Sequence, residues 1–186
     1  LGAVLYGMDQ QQLIIFMIVV QVTSVGGAYA FGLLADRFGC KRTLVLSNLL
    51  MLSAVFWMLL NQSLIGFFWI GALASFALTG VQSVSRTMVG TLSPRGQSAE
   101  FYGLFAVAGR TSSFIGPTIY GWVAADAALW YQARGQSMAL AEQSGQRLAL
   151  LSIAAFLVVG LVLLCFVDEA RGRAAANLPQ TEAGAQ

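Results

Sequence analysis

Residues 13–60 read LIIFMIVVQVTSVGGAYAFGLLA (Leu13 to Ala35), then DRFGCKRT (Asp36 to Thr43), then LVLSNLLMLSAVFWMLL (Leu44 to Leu60). Two apolar runs of 23 and 17 residues flank a short block with four charges, Asp36, Arg37, Lys41 and Arg42. About 20 apolar residues carry a helix across the hydrocarbon layer. Backbone groups left unpaired in lipid are costly, so such runs cross as helices, and internal glycines or a proline do not argue against it. Working outward, three more runs follow: Leu64 to Met88, Phe101 to Ala125 and Leu148 to Val167. The pattern predicts an all-α integral membrane protein with five transmembrane helices.

The composition agrees. The 186 residues are 58% hydrophobic and 10% charged, against roughly 25% charged in a soluble domain. A net charge of +2, with basic residues sitting between apolar runs rather than along one face, excludes a nucleic-acid partner; the lipid bilayer is the partner expected. Cys40 and Cys165 are far apart in sequence and read as free, small apolar fillers rather than a disulfide. The sequon Asn61-Gln62-Ser63 falls in a loop tight against the membrane and reads as structural.

Loop charges give a direction. Arg37, Lys41, Arg42, Arg86, Arg95, Arg171 and Arg173 fall on one side, Arg134 and Arg147 on the other. The positive-inside rule places the seven-residue side, and with it the C-terminus, in the cytosol. An odd number of spans then brings the chain in from the outer face. Residues 1–7, Leu1 to Gly7, read as the stub of a preceding helix, 8–168 as the five-span body, and 169–186 as a disordered cytosolic tail. Residues 126–146 form the longest outer connection, with room for a short interfacial helix, where Trp130 and Tyr131 suit a membrane-surface anchor.

In the block opening the sequence, Gly32 would let a neighbouring helix come close, Asp36 could meet a helix N-terminus, and Gly39 suits a tight turn. Arg37, Lys41 and Arg42 would pin the loop to the cytosolic face. Chemically this is either a latch or an ordinary basic loop. The spacing G-x-x-x-D-R-x-G-x-K-R between two spans resembles the loop signature of the major facilitator superfamily. That resemblance implies a latch bridging two six-helix halves, with Asp36 its carboxylate and Arg37, Lys41 and Arg42 its basic companions. The five spans would be the last five of a six-helix half-bundle whose first helix is truncated to the stub, and the missing N-terminal half would be the chain's partner.

A second set of residues narrows the resemblance: Gly80 to Arg86, Ser93-Pro94, Ala99 to Gly103, Gly109 to Ser113 and Gly116-Pro117. Their order is similar to the vacuole-effluxer branch of that superfamily, which includes an amino-acid exporter of autophagy. It implies movement of a small-molecule substrate, an amino acid being the candidate, across a membrane, and a bacterial inner membrane is the one expected.

Helical spacing gives its own reading. Ser75, Thr79, Gln82, Arg86 and Gly90 make one polar or small stripe down the third span, and Gly103, Ala106, Arg110, Ser113 and Pro117 another down the fourth. Such stripes either line a water-filled path or pack helices through small residues and hydroxyls. Arg110 lies about ten residues into its span, where an arginine costs at least ~2.5 kcal/mol on insertion scales. It is either an anchor for an anionic substrate group, with Gln82, Ser113 and Thr79 as neighbours in the site, or an internal ion pair or snorkelling side chain. Arg86 is nearer the cytosolic end and reads either as part of the polar site or as a structural residue, snorkelling to that end or serving as a charge partner for Asp36 or Glu100. Gly116-Pro117 removes a backbone bond and reads as a hinge.

The acids Asp9, Asp36, Glu100, Asp126, Glu142, Asp168, Glu169 and Glu182 all fall at membrane ends, loops or the tail, and there is no histidine. A proton-carrying group at membrane depth is therefore expected in the missing half. Without a histidine base, and with two distant cysteines, neither an intramembrane serine protease nor a metalloenzyme is expected, and no cofactor or metal site is predicted. A non-transporting membrane scaffold or assembly subunit is the other reading.

Overall fold

The computed structural model describes residues 7–94, 96–135 and 137–176. The predicted stub, apart from Gly7, the loop residue Arg95 and the tail after residue 176 lie outside the described residues. Six helices follow in order: α1 Gln10–Phe38, α2 Cys40–Leu60, α3 Leu64–Leu92, α4 Ser98–Ala133, α5 Met138–Phe166 and α6 Glu169–Ala176. There is no strand among the described residues.

Each boundary has a local cause. Asp9 opens α1 with a capping box: its carboxylate accepts from the Gln10 N–H at 2.7 Å, and its own N–H donates to the Gln12 side chain at 3.2 Å. Only Gly39 separates α1 from α2. Its φ of +89° makes the reversal possible, and its N–H closes α1 on the Ala35 carbonyl at 3.0 Å. Asn61 makes the next turn: its amide donates to the Ser63 carbonyl at 2.7 Å, and its Oδ1 accepts from the Ser63 N–H at 3.2 Å. The sequon asparagine is thus spent inside its loop.

Helices α1 and α3 interlock by setting rings against glycines. Phe16 lies over Gly71 and Phe31 over Gly80, while a Cβ on Gly27 would come within 2.5 Å of the Phe76 carbonyl oxygen. Phe16 also stacks on Phe67 at 4.7 Å, and Thr23 meets Ser75 hydroxyl to hydroxyl at 2.9 Å. Helix α2 joins α3 through Ser47, which donates to the Ala77 carbonyl at 2.6 Å, and α5 through Asn48, which donates to the Leu157 carbonyl at 3.1 Å. The best-buried cluster, Phe31, Ala35, Cys40, Leu44, Val84 and Met88, gathers where α1, α2 and α3 meet beside the Gly39 turn. Both cysteines are free.

The outer surface is apolar. Met17, Val22, Val25 and Tyr29 on α1 and Val159, Leu163 and Phe166 on α5 are each at least half exposed. A surface of that kind matches acyl chains and is unstable in water. Helices α1, α2, α3 and α5 are long and apolar enough to cross a membrane, so the chain is a multi-pass integral membrane protein. The fifth predicted span, α4, is long enough at 36 residues but is not among those four; Glu100, Arg110, Asp126 and a run of hydroxyls lower its apolar character.

Two expected segments take a different form. The stretch 126–146 is not a long connection: α4 runs to Ala133 and α5 starts at Met138, so both helices extend past their apolar cores and turn within residues 134–137. The helices pack where Gly145 meets the Ala124 carbonyl and Ala128. The segment after Val167 is helical over Glu169–Ala176 rather than disordered. Its Gly172 lies against Leu92, and Ala176 is buried.

Candidate functional site

The charged block between α1 and α2 forms a clasp with the end of α5. Glu169, at the start of α6, accepts from the Cys40 N–H at 3.2 Å and the Lys41 N–H at 2.8 Å, capping the N-terminus of α2. Lys41 in turn donates through Nζ to the Cys165 carbonyl at 3.0 Å and the Val167 carbonyl at 2.6 Å, capping the C-terminus of α5. A carboxylate at a helix N-terminus and an ammonium at a C-terminus each complement the helix dipole.

This placement departs from the sequence reading at three positions. The carboxylate that meets a helix N-terminus is Glu169; Asp36 is exposed and makes no polar contact among the described residues. Lys41 is engaged within the bundle, leaving Asp36, Arg37 and Arg42 as the exposed charges of the block. The close helix approach belongs to Gly27, since nothing lies within 4 Å of a Cβ built on Gly32. Gly39 does occupy the turn expected of it, and a side chain there would press on the Glu169 carboxylate at 3.5 Å.

The α3 stripe divides in two. Ser75 is buried against Thr23, so its role is packing. Thr79, Gln82 and Arg86, joined by Ser83, line an open groove of about 340 Å³. Ser83 is absent from the predicted stripe because that stripe was traced through Gln82; the i,i+4 relation to Thr79 was the available signal. Arg86 makes no ion pair with Asp36 or Glu100 among the described residues. Its carbonyl instead accepts from the Tyr102 hydroxyl at 3.1 Å, which ties the start of α4 to α3 where Tyr102 crosses Gly90.

Past Tyr102, the first half of α4 stands clear of the other helices. Leu104, Val107 and Phe114 are 69%, 64% and 74% exposed, and Arg110 and Ser113 are exposed as well. The hydroxyls there satisfy themselves on their own helix: Ser113 donates to the Arg110 carbonyl at 2.7 Å, Thr111 to Val107 at 3.0 Å and Ser112 to Ala108 at 2.9 Å. Arg110 has no ion-pair partner among the described residues. The structure therefore does not bring Arg110 into the groove of Thr79, Gln82 and Arg86. Helix α4 continues through Pro117 without interruption, and Gly116 and Pro117 border an apolar cavity of about 900 Å³ shared with Tyr120, Ile153 and Phe156.

A bundle of membrane-crossing helices with a charged turn between the first two defines a polytopic membrane protein. Residues 2–177 match the model of the family described as vacuole effluxer Atg22 like, and the chain belongs to that family. It is similar to an uncharacterized MFS-type transporter, YxiO, of Bacillus subtilis, with 25% identity over 163 residues covering 88% of this chain and 34% of that protein. It is also similar to autophagy-related protein 22-1 of Penicillium rubens, with 31% identity over 105 residues covering 56% of this chain and 15% of that protein. The chain thus spans about a third of the bacterial relative's length. No solved structure matches it.

Proposed function

We propose that this chain is part of a secondary active transporter that moves a small solute, an amino acid being the candidate, by alternating access. The observation that carries the reading is Arg110: a permanent cation midway along the exposed half of a 36-residue helix, with no ion-pair partner among the described residues. In this reading α4 is the fifth span, tolerated despite its polarity because its exposed half faces a water-filled path closed by the missing N-terminal half. Arg110 binds an anionic group of the solute through charge-assisted hydrogen bonds, and Thr79, Gln82, Ser113 and Arg86 supply polar contacts along the same path. Gly116-Pro117 lets the first half of α4 swing. Asp36, Arg37 and Arg42, with Gly32 leaving room beside them, form the inter-half latch, while Lys41 and Gly39 hold the turn that presents it.

The C-terminus is cytosolic in this reading and the membrane is a bacterial inner membrane. The family match supports transport, and the relative named as an MFS-type transporter supports the mechanism class. The test is uptake of radiolabelled amino acids by proteoliposomes holding the full-length protein. Arg110→Ala is expected to lower uptake about tenfold or more, the worth of a lost charge-assisted bond, with the thermal unfolding midpoint unchanged. Unaltered uptake in that variant removes Arg110 from the site. No uptake of any solute by the wild type favours a non-transporting scaffold.

A further inference from the structure

The end of the α4–α5 hairpin remote from the clasp holds a separate pocket of about 390 Å³. Asp126, Trp130 and Arg134 recur every four residues, so carboxylate, indole and guanidinium follow one another along one face of α4. Arg134 folds its guanidinium back to 3.5 Å from the centre of the Trp130 ring, and Tyr131 meets Trp130 edge-on at 5.0 Å. Val123, Ala127 and Leu148 supply the apolar floor. Asp126 is exposed and has no ion-pair partner among the described residues.

The charges choose the ligand class. A simple cation drawn to Asp126 is opposed by Arg134, and a simple anion drawn to Arg134 is opposed by Asp126. A zwitterion with its two charges on a short linker satisfies both, and Arg134, held on the indole face of Trp130, stays beside the pocket to meet the anionic end. The depth chooses the source. At 36 residues, α4 is about 54 Å long, well beyond the ~30 Å hydrocarbon layer. The floor residue Leu148 marks where the apolar stretch of α5 begins, which puts the pocket at headgroup level, where tryptophan and tyrosine concentrate.

We propose that this pocket binds the headgroup of an amine-bearing zwitterionic phospholipid, with the ammonium on Asp126 and the phosphate on Arg134. The primary ammonium of phosphatidylethanolamine offers three N–H donors to the carboxylate. The quaternary ammonium of phosphatidylcholine offers none, and phosphatidylglycerol has no cation.

The test is native mass spectrometry of the protein released from nanodiscs containing equal amounts of phosphatidylethanolamine, phosphatidylcholine and phosphatidylglycerol. Wild type is expected to retain phosphatidylethanolamine about tenfold over the other two. Asp126→Asn and Arg134→Gln should abolish that preference, Asp126→Glu should keep it, and Arg110→Ala should leave it untouched, which separates this site from the transport reading. Equal retention of the three lipids by wild type, or an undiminished preference in Asp126→Asn, overturns the proposal. Displacement of the lipid by free phosphoethanolamine at matched concentration overturns the lipid assignment in favour of a soluble zwitterion.

Discussion

Three glycines show how single positions set the bundle. Gly27 lies against backbone, since its Cβ would fall 2.5 Å from the Phe76 carbonyl oxygen and 2.9 Å from the Phe76 Cα. Backbone cannot step aside as a side chain can. Gly27→Leu is therefore expected to force α1 and α3 apart and to cost about 3 kcal/mol or more, read as a lower unfolding midpoint in detergent. Gly32→Leu has open space around it and should change stability by less than about 0.5 kcal/mol. The two glycines are alike in sequence, both inside an apolar run, and nothing local says which one meets a neighbour. Packing partners from a helix about fifty residues away decide it, which is why the reading of the block chose Gly32. Gly39 was legible because its task is local: a charged segment between two apolar runs needs a reversal, and φ > 0 supplies it.

At the scale of elements, helix existence was legible and helix limits were not. The apolar runs predicted the cores of α1 to α5, but the polar turns Ser98 to Glu100 and Met138 to Arg147 also fold as helix; in the second, Ala141 and Gly145 are buried, so tertiary packing extends the helix past its apolar stretch. Helix α6 escaped notice for a related reason. Its eight residues, rich in alanine and charge, form a helix docked by Glu169 and Gly172 against partners more than 75 residues away. The clasp makes a specific prediction. Glu169→Gln weakens the cap on α2, and Lys41→Met uncaps α5; each should cost about 1–2 kcal/mol, the range for charge-assisted bonds at partly buried helix ends. Equilibrium unfolding in mild detergent would measure it, and stabilities equal to wild type would mean the caps are idle.

On the scale of the whole molecule, the uneven covering of α4 is the main asymmetry. Its second half is packed on α5, and its first half past Tyr102 is largely exposed. An arginine and three hydroxyl-bearing residues, Thr111, Ser112 and Ser113, on an exposed helix do not suit lipid, so in the complete protein this stretch should be shielded by another part of the chain. A cysteine placed at Leu104 or Phe114 in the full-length protein is expected to react with a water-soluble maleimide several-fold faster than one at the exposed apolar position Val25, because a thiol in lipid stays protonated and unreactive. Equal rates would leave α4 facing lipid. The two polar stripes were visible in the sequence by their spacing, but whether they faced each other was not, since spacing fixes a face and not its neighbour. In the structure Gln82 and Arg110 belong to different surfaces.

The mutual capping of α2 and α5 also bears on the order in which the molecule can be made. Synthesis runs from the N-terminus, so the first turn of α2 emerges early while its cap, Glu169, is added more than 120 residues later. Through that interval the Cys40 and Lys41 N–H groups must be held by water, headgroups or the insertion machinery. The three early helices can assemble by their rings and glycines, but the clasp end of the bundle stays unsealed until translation has passed residue 169. Its last described helix is a closing stitch, and a chain stopped just short of it would keep the Lys41 and Asn48 contacts between α2 and α5 and still lack the Glu169 cap on α2.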